Sequence, residues 1–448
     1  MPLADEQGDP IPPVLTPNSR ELARQIFLDT LAECSVGAAF QRNIEYDHGV
    51  LRVVEDLYNL EAYSRVFVVA IGKAAHSMTK ALASQIGERL EGVVVAPAQP
   101  DHYLHKLTYF QGGHPLPNEE SVAAARHILR ELQHLHAYAL AIFLISGGGS
   151  ALAENPLYDS ISLSDLLETY RLLVHSGAPI AEINTIRKHL SAIKGGRLAL
   201  AAYPAHQVSI LISDVPENAL DSLASGPTMP DSTTTELCYE IAAKYKLTER
   251  FPHSVQELFK DRALEETPKS DDPAFVRSRW WPILSEATAA KAAAAKAAAL
   301  GFAVEIDNSC DDWDYAQAAD HLLGRLKDLR RGASKVCVVS TGEVVVNIPG
   351  KAGVGGRNQQ FALYCAEKIS GQNIAVLSAG TDGVDGNSQA AGAVVDGSTL
   401  ERAKAQSLNA ATNLAQFNAY PFFEKLEDAV ITGPTGNNVR DLRILLAY

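Results

Sequence analysis

A Ser-Gly-Gly-Gly-Ser segment, Ser146-Gly147-Gly148-Gly149-Ser150, ends an apolar run of strand character from Ala139 to Ile145. Without Cβ atoms, the backbone N–H groups of such a turn can converge on a carboxylate or phosphate, and a helix opening behind them favours negative charge. By itself the segment reads equally well as a flexible loop. Charged residues stand at other strand ends: Lys73 in Gly72-Lys73-Ala74, Asp214 in Ser213-Asp214-Val215-Pro216, Glu343 after Thr341-Gly342, and Asp382 and Asp385 in Gly380-Thr381-Asp382-Gly383-Val384-Asp385. Arg357 and Asn358 close a glycine-rich loop that begins at Gly350. A lysine at a strand-to-helix turn is a candidate phosphate contact or merely solvates its loop. A strand-terminal aspartate holds Mg²⁺, accepts a proton or caps a helix. Phosphoryl transfer requires this mixture of cations, backbone amides and metal-holding carboxylates.

Arg187, Lys188, Lys194 and Arg197 add a basic stretch, in which Asn184 and Lys188 would share one helix face. A solvated helix surface is the simpler account of it. Several familiar signatures are missing. Gly72-Lys73 and Gly350-Lys351 lack the upstream glycine of a P-loop, no G-x-G-x-x-G follows the first strand, and Ser150 lacks a G-x-S-x-G elbow.

These residues need strands and helices to hold them. Apolar runs at 65–71, 92–96, 107–110, 139–145 and 207–212 read as strands of one α/β domain, and those at 303–306, 335–340, 344–348, 374–378 and 429–431 as strands of a second. The alternation of strands and helices predicts an α/β fold. Residues 1–18, rich in Pro and acids, are expected to be a disordered tail, and a helix starting after Ser19 is expected to pack on the first domain. A polar, proline-containing stretch at about 264–279 suggests a boundary, giving domains at 19–270 and 280–448. A helix from about Asn358 would give the glycine-rich loop a positive end.

At 448 residues the chain is long enough for two domains, and 46% hydrophobic with 21% charged residues is ordinary for a folded protein. The net charge of −14 argues against nucleic acid or an anionic membrane as a partner. Anionic substrates must therefore meet locally clustered cations. Five scattered cysteines without a CxxC pair indicate neither a disulfide framework nor a zinc site. With no basic start and apolar run at the N-terminus, the cytoplasm is the expected location. A homodimer stays open.

Taken together, Gly72-Lys73-Ala74, Ile145 to Leu152, Asn184-Thr185-Ile186-Arg187-Lys188, Lys194-Gly195-Gly196, Ala224-Ser225-Gly226-Pro227-Thr228, Gly355-Gly356-Arg357-Asn358-Gln359, Gly380 to Gly383 and Thr432-Gly433-Pro434-Thr435-Gly436 resemble the motifs of the class II glycerate kinases, which carry a C-terminal MOFRL domain. The resemblance runs in order from about residue 23 to 442. It implies a Rossmann-like three-layer N-terminal domain, a smaller α/β C-terminal domain, and an active site in the cleft between them. It implies ATP- and Mg²⁺-dependent phosphorylation of D-glycerate at the 2-hydroxyl, with Lys73, Asp214 and Arg357 at the catalytic positions. The segment Ser146–Ser150 would cradle an anion with Lys188 and Lys194 nearby. Asn184, Glu343, Asn358, Thr381 and Asn438 are further binding candidates, and Asp214, Asp382 and Asp385 the metal candidates. Three alternatives remain: an NAD(P)H-dependent hydroxypyruvate reductase, a kinase for a related sugar acid, and a non-catalytic binding protein that retains the anion cleft. The second arises because Asn218, Asn387, Gln389, Asn437 and Val354 depart from the usual motifs.

Overall fold

A computed structural model gives the fold, and it describes residues 19–448. The tail expected over 1–18 lies outside the described residues. Two compact units emerge. One comprises residues 34–288 with Gly436–Val439; the other comprises residues 289–435 and 440–448 with the N-terminal helix Ser19–Glu33.

In the first unit, six apolar runs form one sheet. In chain order its strands are Arg65–Ile71, Glu91–Ala96, Leu107–Gln111, Ala139–Ser146, His206–Ile212 and Ser278–Leu284. In space the order is third, second, first, fourth, fifth, sixth, and every neighbouring pair is parallel. This is the doubly wound, Rossmann-like arrangement. Its strand order reverses between Arg65–Ile71 and Ala139–Ser146, and there a crevice opens beyond the carboxyl ends. Ala139–Ser146 is buried at all eight positions, as a central strand covered on both faces must be. Helix Glu119–Gln133 supplies Ala124, Ala125, Ile128 and Leu132 to one core layer. Helix Ala75–Ile86 packs on the strands that flank the reversal and buries Met78 and Leu82. Four further helices, Leu163–Val174, Ile180–Leu190, Thr235–Lys244 and His253–Lys260, share a core of their own around Leu166, Ile186, Cys238 and Phe259. A small antiparallel meander over 44–59 escapes sequence reading because its three strands are only four residues each.

The second unit holds a mixed six-stranded sheet in the order Ala303–Ile306, Val336–Thr341, Asp441–Ala447, Ile374–Gly380, Gly392–Asp396, Ala429–Val430. The C-terminal strand Asp441–Ala447 runs antiparallel to both neighbours and is buried throughout.

Three expectations are corrected. Helix Ser19–Glu33 does not pack on the first domain: Leu22, Ala23, Ile26 and Phe27 join Val339, Leu377, Ile444 and Leu446 in the core of the second unit. The boundary expected at 264–279 falls too early, because Ser278–Leu284 pairs with His206–Ile212 as the sixth strand of the first sheet, and the first unit extends to residue 288. The compact units thus differ from domains at 19–270 and 280–448, with the first running from 34 to 288. Finally, 344–348 is no strand. It makes one isolated parallel bridge, Val345 to Asp314.

The fully buried Phe27 generates a test of the first correction. Phe27→Ala should cost about 3–5 kcal/mol. Hydrogen exchange should accelerate in the strands at 336–341 and 441–447, with the parallel sheet at 65–146 unchanged.

Candidate active site

At the reversal of the parallel sheet, three strand ends come close enough that only glycine fits. A Cβ on Gly72 would lie 2.1 Å from Ser146 Oγ, and one on Gly147 would lie 2.0 Å from Asp214 Oδ2. The Asp214 carboxylate therefore rests directly against the glycine turn. Lys73 N donates to Gly147 O at 2.9 Å, and Ser146 Oγ accepts from Ala74 N at 3.0 Å, which locks the Lys73 turn to the next strand. Ser146 is thus a brace between strands. Gly148 takes φ +82°, and a Cβ there would touch both His114 and the Lys73 stem. The amides of Gly148, Gly149 and Ser150 donate to no acceptor among the described residues. Ser150 Oγ meets Ser225 Oγ at 2.9 Å. Lys73 is exposed and makes no ion pair among the described residues, so its ammonium is available beside this turn. Burial, and then the nearby Lys73 charge, hold the His114 imidazole below its ordinary pKa. His114 stays neutral near pH 7.

The other expected lysines are elsewhere and already engaged. Lys194 is buried and bonded to the buried carboxylate of Glu154. Glu154 also accepts from Tyr170 OH and Ser191 Oγ, both at 2.6 Å. Lys188 pairs with Asp231 at 3.0 Å and with Asp221 at 3.4 Å, and Asp231 accepts in addition from Thr267 Oγ1. A buried ion pair deprived of one member leaves a costly bare charge, so both lysines hold the helical lobe together. Asn184 is half-buried on the same helix as Lys188. Arg187, between them in sequence, is different: it stacks 4.7 Å over the Tyr170 ring and has no carboxylate partner among the described residues.

In the second unit, a cavity of about 740 Å³ is lined by Glu343, Gly355, Gly356, Arg357, Asp382, Asp385 and Asn387 among others. Arg357 is gripped on one edge. Its Nε and Nη2 donate to Asp441 at 2.6 and 3.0 Å, and Nη2 lies 2.8 Å from Glu343 Oε1. The Nη1 edge has no partner among the described residues, so the guanidinium is oriented by Asp441 while retaining donors. Burial raises the Glu343 carboxyl above its ordinary pKa, against the opposing pull of Arg357.

Asp385 performs a different task from the one expected. Its carboxylate accepts from the backbone N–H groups of Asn358 and Gln359, at 3.1 and 2.9 Å, and from both of their side-chain amides. Gly356 at the helix start has no side chain to cap with, so Asp385 caps helix Arg357–Lys368 from a distant loop. The positive end expected for the glycine-rich loop is satisfied internally. Asn358, which also accepts from Ser378 Oγ at 2.6 Å, is fully buried in this network. Thr381 Oγ1 donates to Arg440 O at 2.6 Å and ties two loops. Asn438 lies in the short segment that groups with the first unit. Asp382 lines the cavity, with one oxygen accepting from Val384 N. Asn387, one of the departures from motif, latches the glycine-rich loop by accepting from Gly355 N and donating to Gly353 O.

Sequence reasoning missed three residues. His114 had a signal in Gly112-Gly113-His114-Pro115, a strand-end loop like the others. The role of Tyr170 beneath Arg187 had none. Asp441 stands 84 positions from Arg357 and reaches it through strand register alone.

Comparison with known proteins places these features in a family. A family model described as "Domain of unknown function (DUF4147)" matches residues 22–260, and the MOFRL family model matches 336–441. The D-glycerate 2-kinase of Thermotoga maritima is 36% identical over 389 residues, covering 85% of this chain and 90% of that protein. A protein of Agrobacterium vitis provisionally named a hydroxypyruvate reductase is also 36% identical, over 85% of this chain and 87% of its own length. The crystal structure of the Thermotoga maritima glycerate kinase superposes with a TM-score of 0.84 at 33% identity, covering 96% of this chain and 99% of that one.

The Asp385 cap makes a pH prediction. Burial, against the pull of its donors, pushes this carboxyl up to about 6, while an unfolded aspartate titrates near about 3.9. Between those values the folded state holds a proton that the unfolded chain has released. This group therefore adds stability as pH falls from about 6 to 4, by up to about 3 kcal/mol. Urea midpoints measured across that window should show this component in the native protein, and Asp385→Asn should lack it.

Proposed function

This chain belongs to the family that joins a DUF4147 domain to a MOFRL domain, and we propose that it transfers the γ-phosphoryl group of ATP to the 2-hydroxyl of D-glycerate. The observation that carries the reading is the convergence, at one sheet reversal, of an unpaired Lys73, a side-chain-free turn at Gly147–Gly149 and the Asp214 carboxylate. Lys73 neutralises charge that spreads over the phosphoryl oxygens in the transition state. Asp214 accepts the proton from the attacking hydroxyl or holds the metal. In the 740 Å³ cavity, of a size that takes a nucleotide, Arg357 offers its Nη1 edge to a phosphate oxygen.

Mg²⁺ suits the donors present. It prefers hard oxygen ligands and is usually held by one or two carboxylates together with substrate phosphates. Asp214 and Asp382 fit that role, whereas both oxygens of Asp385 are already occupied by helix donors. Among the described residues no three metal-ligating side chains cluster, as a site completed by phosphate oxygens allows. When bound, Mg²⁺ would supply positive charge that neutralises the phosphate oxygens.

The reductase name carried by Agrobacterium vitis relatives finds less support here. The loop after the first strand is Gly72-Lys73-Ala74-Ala75, without the glycine fingerprint that lets a dinucleotide pyrophosphate approach the helix. Five buried cysteines, none in a disulfide, suit a reducing compartment, and the cytoplasm is the proposed location. No helix among the described residues is long and apolar enough to cross a membrane.

The test is ADP formation from ATP, Mg²⁺ and D-glycerate, run beside NAD(P)H oxidation with hydroxypyruvate. Glycerate-dependent ADP is expected, and Lys73→Ala and Arg357→Ala should each lower kcat by about 10²–10³-fold. Hydroxypyruvate-dependent NAD(P)H oxidation would replace the kinase reading with the reductase one.

A further inference from the structure

In the helical lobe one partly buried cation lacks an acidic partner among the described residues. Lys188 and Lys194 have acidic partners, but Arg187, on the same helix as Lys188, has none among the described residues. The carboxylate electrostatically nearest to it, Glu154, already accepts from Tyr170, Ser191, the Asn155 amide and Lys194. Arg187 Nε is buried without an acceptor. A guanidinium partly withdrawn from water, with its Nε buried and no counter-ion among the described residues, is stabilised by anything that supplies one.

What lies before it is a cavity. About 130 Å³ in volume, it is lined by His114, Gly148, Ser150, Tyr170 and Arg187 together with the proline loop after His114. That is well below the usual size range for nucleotide-sized ligands and suits a molecule of a few heavy atoms. The walls are rigid. Tyr170 is fixed by its hydrogen bond to Glu154 and holds Arg187 by a cation–π contact. Ser150 and Ser225 share one hydroxyl hydrogen bond, leaving further donor and acceptor capacity. His114, kept neutral by burial and by Lys73, adds a hydrogen-bonding ring nitrogen without a competing charge.

We propose that this pocket binds the carboxylate of the acid substrate, with Arg187 as its counter-ion and Ser150 and His114 bonding the neighbouring oxygens. Arg187 is thereby the specificity residue for a short 2-hydroxy acid, a task that the more conspicuous Lys188 and Lys194 do not perform. A planar guanidinium matches a carboxylate in two parallel hydrogen bonds, which fixes the orientation of the acid as well as its charge. The pocket borders Gly148, whose space adjoins the Lys73 stem, so an acid anchored on Arg187 has its 2-hydroxyl close to the Lys73 turn. This inference rests on the kinase reading and specifies its acceptor subsite.

The experiment uses the full chain, with D-glycerate and its uncharged analogue D-glyceramide as acceptors. Arg187→Met should raise KM for D-glycerate by about 10- to 100-fold, the loss of a charge-assisted pair. KM for ATP should stay within about twofold. The native preference for glycerate over glyceramide should collapse, and Arg187→Lys should restore part of it. Thermal stabilisation by D-glycerate without ATP should vanish in Arg187→Met; if that variant does not fold, the same KM and stabilisation measurements on Arg187→Lys decide, because a lysine cannot reproduce the paired contact. Wild-type turnover of glycerate with unchanged glycerate KM and unchanged acid-over-amide preference in the variants would overturn this inference alone. A wild type that neither turns over nor is stabilised by D-glycerate would overturn the kinase reading beneath it.

Discussion

A charge taken out of water must find its opposite, and in this protein that constraint separates scaffold from site. Lys194 and Glu154, Lys188 and Asp231, and Arg440 and Asp311 are matched inside their units. Each pair is a fixed point on which helices and loops are hung. Among the candidate-site cations, three keep donors uncommitted within the described residues: Lys73 in the open, Arg187 on an aromatic ring, and the outer edge of Arg357. In a chain of net charge −14, these uncommitted donors are where an anionic substrate can be held.

Topology brings two of them to one place. The strand order reverses between Arg65–Ile71 and Ala139–Ser146, so the chain leaves the sheet in opposite directions and the ends diverge around a crevice. Glycine at 72 and 147 allows the backbone and the Asp214 carboxylate to approach closer than any side chain would permit. Arg187 arrives by a different route, on the lobe helix Ile180–Leu190, which lies between the fourth and fifth strands in the chain. The second unit orients its own cation by register: Asp441 opens the C-terminal strand and lies opposite Gly380, from which it reaches Arg357.

The parallel sheet was legible because its central strands are unbroken apolar runs that stop at glycine, whereas its Rossmann-like order was an implication of the family resemblance. The loops at Lys73, Gly147 and Asp214 were legible for the same reason. Other parts depend on pairing that sequence does not display. Helix Ser19–Glu33 was assigned to its neighbour in sequence, yet its apolar face fits a sheet formed more than 300 residues later. Lys188 and Lys194 looked like ligands because nothing local marks Asp231 or Glu154 as their partners. Asp385 looked like a metal ligand, but three-dimensional proximity makes it a helix cap. A charged residue's neighbours in space decide whether it serves fold or ligand.

The most direct test of the account is the ³¹P NMR spectrum of the phosphorylated product formed by the native chain from ATP, Mg²⁺ and D-glycerate. Transfer to the 2-hydroxyl attaches phosphorus beside a single C–H, and the account predicts a new phosphomonoester resonance split into a doublet. A triplet, from phosphorus beside a CH₂ group, would place the phosphoryl on the 3-hydroxyl and contradict the acceptor geometry. Release of inorganic phosphate with no ester would contradict phosphoryl transfer to glycerate altogether.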